Sequence, residues 1–174
     1  MVIKIGKTLD ESLKGIGFSG PNGEHLKFPL HEVAESLYRQ SSEYQRNLVQ
    51  KYLEVVEGDI PNTLKRRFRD RPKMFRSRFG GFCDDITYFF AETYFNVAFY
   101  GDYHFPSMIQ AWVGESSFVL SVGQKGNGFD AEMVNQTRRK QNAGGAFNFF
   151  RSCESEIFFD NPNNARIVFM EYKP

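Results

Sequence analysis

Two short segments, Met108 to Val113 and Phe118 to Val122, alternate apolar residues with small or polar ones and are joined through Gly114-Glu115-Ser116. Alternation of period two places one set of side chains on each face, so the pair is expected as an antiparallel hairpin with one buried face. Such a face must be covered, and the preceding segments supply helices for it. Asp84 to Tyr100 reads as one helix ended by Gly101, with the acidic pair Asp84-Asp85 complementing its dipole. From His31 to Glu57, the residues Val33, Leu37, Tyr44, Leu48, Tyr52 and Val55 recur at helical spacing between Pro29 and Gly58.

After the hairpin come a glycine loop (Gly123 to Gly128), a polar segment to Ala143, and a short helix from about Gly145 to Cys153. Ile157-Phe158-Phe159, the turn Asp160-Asn161-Pro162-Asn163-Asn164 and Ile167 to Tyr172 read as a terminal hairpin. At the start, a strand from Val2 to Ile5 and the turn Gly20-Pro21-Asn22-Gly23 before Leu26-Lys27-Phe28 suggest another hairpin. The expected organisation is an N-terminal strand and hairpin segment, 1–30, and a single α/β sandwich domain, 31–174. Its class is α+β: a two-layer sandwich with helices on one face of a mixed β-sheet.

Bulk properties exclude several classes. At 174 residues the chain suits one domain, and 41% hydrophobic with 25% charged residues argues against wholesale disorder. Nineteen Phe point to a Phe-rich core. A net charge of +1 gives no global attraction to nucleic acid or acidic membranes. No run approaches the ~18 apolar residues of a membrane span. Met1 to Ile5 lacks the apolar stretch of a secretory signal, and Cys83 and Cys153 have no metal-ligand spacing. A cytoplasmic chain with two reduced thiols is expected. His25, His31 and His104 are scattered, and neither Gly-x-Ser-x-Gly nor a Walker A loop is present.

Leu64 to Phe79 is the most basic stretch, within a long connection at about 59–82. Lys65, Arg66, Arg67, Arg69, Arg71, Lys73, Arg76 and Arg78 face one acid, Asp70, with Phe68, Phe75 and Phe79 between them. Cations mixed with aromatics suit phosphates and bases. A solvated connection whose Phe residues dock on the domain, or a partner-docking segment, explains the same composition. With near-neutral net charge and prolines at 61 and 72, nucleic-acid binding is disfavoured.

Three segments carry candidate chemistry in order. Glu92 and Asn96 lie one helical turn apart, so their side chains share a face. Ser121-Val122-Gly123-Gln124-Lys125-Gly126-Asn127-Gly128-Phe129-Asp130 follows a strand, and Gly144-Gly145-Ala146 opens the short helix that ends in Arg151-Ser152. This ordered set, across about residues 84–172, resembles the Bergerat-fold ATPases, especially anti-sigma-factor serine kinases and the ATP-binding domains of histidine kinases.

The resemblance implies an ATP-binding signalling domain that uses magnesium, with a protein partner and a homodimer allowed. Under it, Asn96 supplies an oxygen ligand to a magnesium ion on the phosphates, and Glu92 acts as general base or orients the attacking hydroxyl or water. Gln124 accepts from the adenine amino group. Gly126 and Gly128 let the backbone pass beneath adenine and ribose, and Gly144 and Gly145 turn backbone N–H groups to the phosphates. Gln124 replaces the family's Asp, Ala146 its second glycine, Tyr100 its frequent His and Val97 its usual Ala. These departures leave open a serine/threonine kinase or ATPase with a weakened site, and a non-catalytic member acting by protein contact.

Overall fold

The structure is a computed structural model that describes residues 3–20, 22–29, 42–71, 84–100, 106–141 and 145–172. Residues 31–41, the basic residues from Lys73 to Arg78, His104 and Gly144 lie outside the described residues.

The first helix, α1 (Leu9–Gly15), begins with a reciprocal cap. Thr8 Oγ1 accepts from the Glu11 amide at 3.3 Å, and the Glu11 carboxylate accepts from the Thr8 amide at 2.9 Å. It ends at Gly17, with φ of 71°, while Phe18 N donates to Leu13 O at 3.0 Å and Gly17 N to Lys14 O at 3.2 Å. That double closure needs a left-handed residue, which glycine adopts without strain. The glycine-rich stretch therefore starts as a helix stop, and the expected hairpin within residues 1–30 does not form. Strand β1 (Glu24–Pro29) pairs instead with β2 (Pro106–Val113), and Ile3 makes an isolated parallel bridge with Ile157.

Helix α2 (Ser42–Val56) buries Tyr44, Leu48 and Val55, the spacing expected from the sequence. The start of the basic stretch is the tail of another helix, α3 (Asp59–Arg67), anchored by buried Ile60 and Leu64. Helix α4 (Asp85–Tyr100) is apolar on most sides and correspondingly central, with Ile86, Phe89, Phe90 and Tyr94 buried. Asp84 Oδ1 caps it by accepting from the Thr87 amide at 2.8 Å, and Tyr94 donates to Leu48 O of α2 at 3.2 Å.

The hairpin expected from Met108 to Val122 forms as β2 and β3 (Phe118–Gln124), antiparallel from Val113↔Phe118 onward. Residues 131–141, expected as polar connection, form helix α5 (Ala131–Gln141), capped by Asp130 Oδ1 accepting from Met133 N at 2.7 Å. Helix α6 (Gly145–Ser152) and the strands β4 (Glu156–Phe159) and β5 (Ile167–Glu171) close the chain, the last two as the expected hairpin.

The sheet order is β1-β2-β3-β5-β4, and every pair of named strands is antiparallel, so the sheet is not the mixed one expected. One face carries Ile109, Ala111, Phe118, Leu120, Val122, Ile157, Phe159, Val168 and Met170 in a core shared with α2, α3, α4 and α6. The other face is not bare. Trp112, Val119, Phe158 and Phe169 meet Ile16, Leu9 and Leu13 of the α1 region, which adds a small third layer to the expected two. A chain with this many aromatic strand residues has apolar side chains for both faces. Among the described residues no helix is long and apolar enough to cross a membrane.

Candidate functional site

Tyr88, Glu92 and Asn96 stand four residues apart on α4, so they form one stripe along the helix. At its first residue the stripe meets α6, where the Tyr88 and Phe149 rings lie 4.7 Å apart. Glu92 is half-buried, and burial pushes its carboxyl above the usual range while a hydrogen bond from Tyr88 partly offsets the shift. The sequence reading did not include Tyr88, although its spacing from Glu92 was visible.

Asn96 Nδ2 donates to the carbonyl oxygen of Glu92. A carbonyl can only accept, so this partner fixes which end of the amide is the nitrogen. The side-chain oxygen is the end turned away from the helix backbone, and an amide oxygen is a hard ligand suited to a divalent cation.

Helix α4 packs on β3 as well as α6. Strand β3 runs into the glycine loop through Gln124, whose Nε2 donates to Asn127 O at 3.2 Å and, at the limit of bonding distance, to Ala165 O at 3.5 Å. Both partners are again carbonyls, so the Gln124 oxygen is the acceptor end facing away from them. Gly126 has φ of 88°, a conformation that favours glycine.

The loop is tied to the turn beyond β4. Gln124 N donates to Arg166 O at 2.9 Å, Phe129 and Ala165 exchange bonds of 3.1 and 2.8 Å, and Ala131 N donates to Pro162 O at 2.7 Å. A Cβ on Gly128 would lie 2.5 Å from the Asn164 carbonyl carbon, so the close approach at this glycine is to the protein's own backbone. Asn164 and Ala165 were outside the sequence-based site. Their involvement depends on strand pairing that local patterns do not encode.

Gly145 opens α6, and Ala146 beside it is 9% exposed, its methyl group taken into the core. Strand β3, which leads into the glycine loop, and helix α6, which Gly145 opens, both pack against α4. Among the described residues no group of three or more His, Cys, Asp or Glu side chains gathers as a metal site. A magnesium ion here would be held by the Asn96 oxygen together with oxygens of its own ligand. A surface depression of about 570 Å³, lined by Ile3, Lys4, Ile5, Gly6, Lys7, Glu11 and Glu156, includes none of the sequence-based site residues. Comparison of the chain with protein-family models, with curated proteins and with solved structures gives no match.

Proposed function

We propose that this chain is an ATP-binding regulatory domain resembling anti-sigma-factor serine/threonine kinases. The observation that supports it most is the matched orientation of two amides. Asn96 and Gln124 each commit their nitrogen to a backbone carbonyl and keep an oxygen as acceptor. An acceptor at Gln124 suits an adenine amino group. An oxygen at Asn96 suits a magnesium ion, whose contribution is to neutralise phosphate charge. Under this reading Glu92, one turn from Asn96 and partly desolvated, takes a proton from a hydroxyl. Calorimetric titration with Mg-ATP tests the reading: the unmutated protein binds, and Asn96→Ala loses most of the affinity. No binding at millimolar Mg-ATP would sink it.

A second reading, a non-catalytic domain of the same architecture acting by protein contact, draws on the glycine loop. Its close approach at Gly128 is already taken by Asn164. Under that reading the unmutated protein gives no heat with Mg-ATP, and Gly128→Ala destabilises the fold with no separate effect on nucleotide.

A further inference from the structure

We propose that Arg67 and Arg71 form a docking site for an acidic segment of a partner protein, independent of nucleotide binding. Arg67 closes α3, and one of its terminal nitrogens donates to Asn22 O at 3.2 Å. Arg71, four residues past the end of α3, donates to Ser116 O in the β2–β3 turn and lies with its guanidinium carbon 5.9 Å from the Phe68 ring centre. Each guanidinium is thus held at one end by a backbone carbonyl from a different part of the fold. Arginine carries five N–H donors in a planar fork, so the remaining donors are pre-oriented for a carboxylate. Holding the fork in place beforehand lowers the ordering cost of binding.

Lys65, Arg66 and Arg69 are exposed around this pair. Asp70 is the one acid among residues 65–71, and its contact with Arg69 is 3.8 Å between side chains 92% and 81% exposed, which offsets little. Glu115, on the turn that Arg71 grips, is folded over Gly17 and Gly20.

The occupant favoured is protein rather than nucleic acid. Phe68, the aromatic among the described cations of residues 65–71, is 4% exposed and packs 5.6 Å from Phe118, so it is not a platform for stacking bases.

Fluorescence anisotropy with labelled poly-L-glutamate and, separately, a short duplex DNA tests the proposal at physiological ionic strength. The unmutated protein binds poly-L-glutamate and binds it more weakly as salt rises. The double variant Arg67→Gln/Arg71→Gln loses about tenfold or more, the loss of a charge-assisted bond. Arg66→Glu weakens binding too, and it gives the reading should the double variant fail to fold by circular dichroism. Lys14→Gln, on α1, leaves affinity unchanged. The proposal is overturned by tighter binding of duplex DNA, by no binding of poly-L-glutamate, or by unchanged affinity in a folded double variant or in Arg66→Glu. An equal loss in Lys14→Gln overturns it as well, because it would indicate diffuse charge.

Discussion

Lys7 sits between two glutamates that face each other across β4 and β5, its ammonium 2.6 Å from the Glu171 carboxylate and also bonded to that of Glu156. Like charges directly opposite on a sheet repel, and Glu171 is 2% exposed, so the pair needs a cation. The segment before α1 supplies it. Lys4 N, on the same segment, donates to Ile157 O at 2.8 Å, which seats the chain against edge strand β4.

Lys7→Met removes the cation bonded to Glu171 and leaves that buried carboxylate opposite Glu156, which keeps Lys4 at 3.8 Å. We expect a loss of about 3 kcal/mol, the usual size for breaking a buried pair on one side. The double variant Lys7→Met/Glu171→Gln should recover much of it, because the uncompensated charge is gone. Urea denaturation of the three proteins checks this, and a loss under about 1 kcal/mol for Lys7→Met would mean that the cluster behaves as a surface pair.

Thr8→Ala removes one half of the α1 cap, with an expected loss of about 1 kcal/mol. The effect should appear as a shift in urea midpoint at unchanged slope. Because α1 covers Trp112, Val119, Phe158 and Phe169 on the second sheet face, fraying it should also raise hydrogen exchange in β3 and β5. Unchanged exchange there would separate the helix from the sheet's stability.

Legibility in the sequence followed the range of the interaction. The β2–β3 and β4–β5 hairpins and α4 were readable because alternation, turn residues and the Asp84-Asp85 helix start lie within a few residues of one another. Thr8 and Glu11 at capping-box spacing are equally local, yet the glycines that follow carry turn chemistry of their own, which masks the helix they terminate. Helix α5 was obscured because a mostly polar run shows little periodicity, leaving Asp130 as its clearest local sign. The partner of β1 was not readable at all. Glu24 pairs with Val113, and nothing near Glu24 encodes that choice. For the same reason the sequence exposed Gln124 and Gly128 but concealed Ala165 and Asn164, which constrain them.

Glu92 provides a test through pH. Its folded carboxyl titrates above the ordinary value of 4.5, mainly through burial. Between the unfolded and folded values the native state holds the extra proton, so stability falls as pH rises through that window. Above it the ionised, partly buried carboxylate is a standing penalty. Glu92→Gln should therefore melt at a higher temperature than the unmutated protein at pH about 7, with the gap closing toward pH about 4. A gap that is constant across pH would show that the gain comes from packing and not from charge.

Gln124→Asp places opposing effects on two measurements. The shorter, anionic side chain gives up the donor that reaches Asn127 O and Ala165 O, and its charge now faces the same carbonyls. Without nucleotide, we expect a loss of about 1 kcal/mol, comparable to one unmade hydrogen bond. With nucleotide, the sign reverses, because an ionised acceptor binds an amino group roughly twice as strongly as a neutral amide does. Thermal melts without ligand and calorimetry with Mg-ADP separate the two. Lower stability with tighter binding is the result expected of a loop that both closes on itself and receives adenine. Lower stability with weaker or unchanged binding would assign Gln124 to the loop alone and remove it from the nucleotide site. Unchanged stability would mean that its bonds to Asn127 and Ala165 contribute nothing to holding the glycine loop in place.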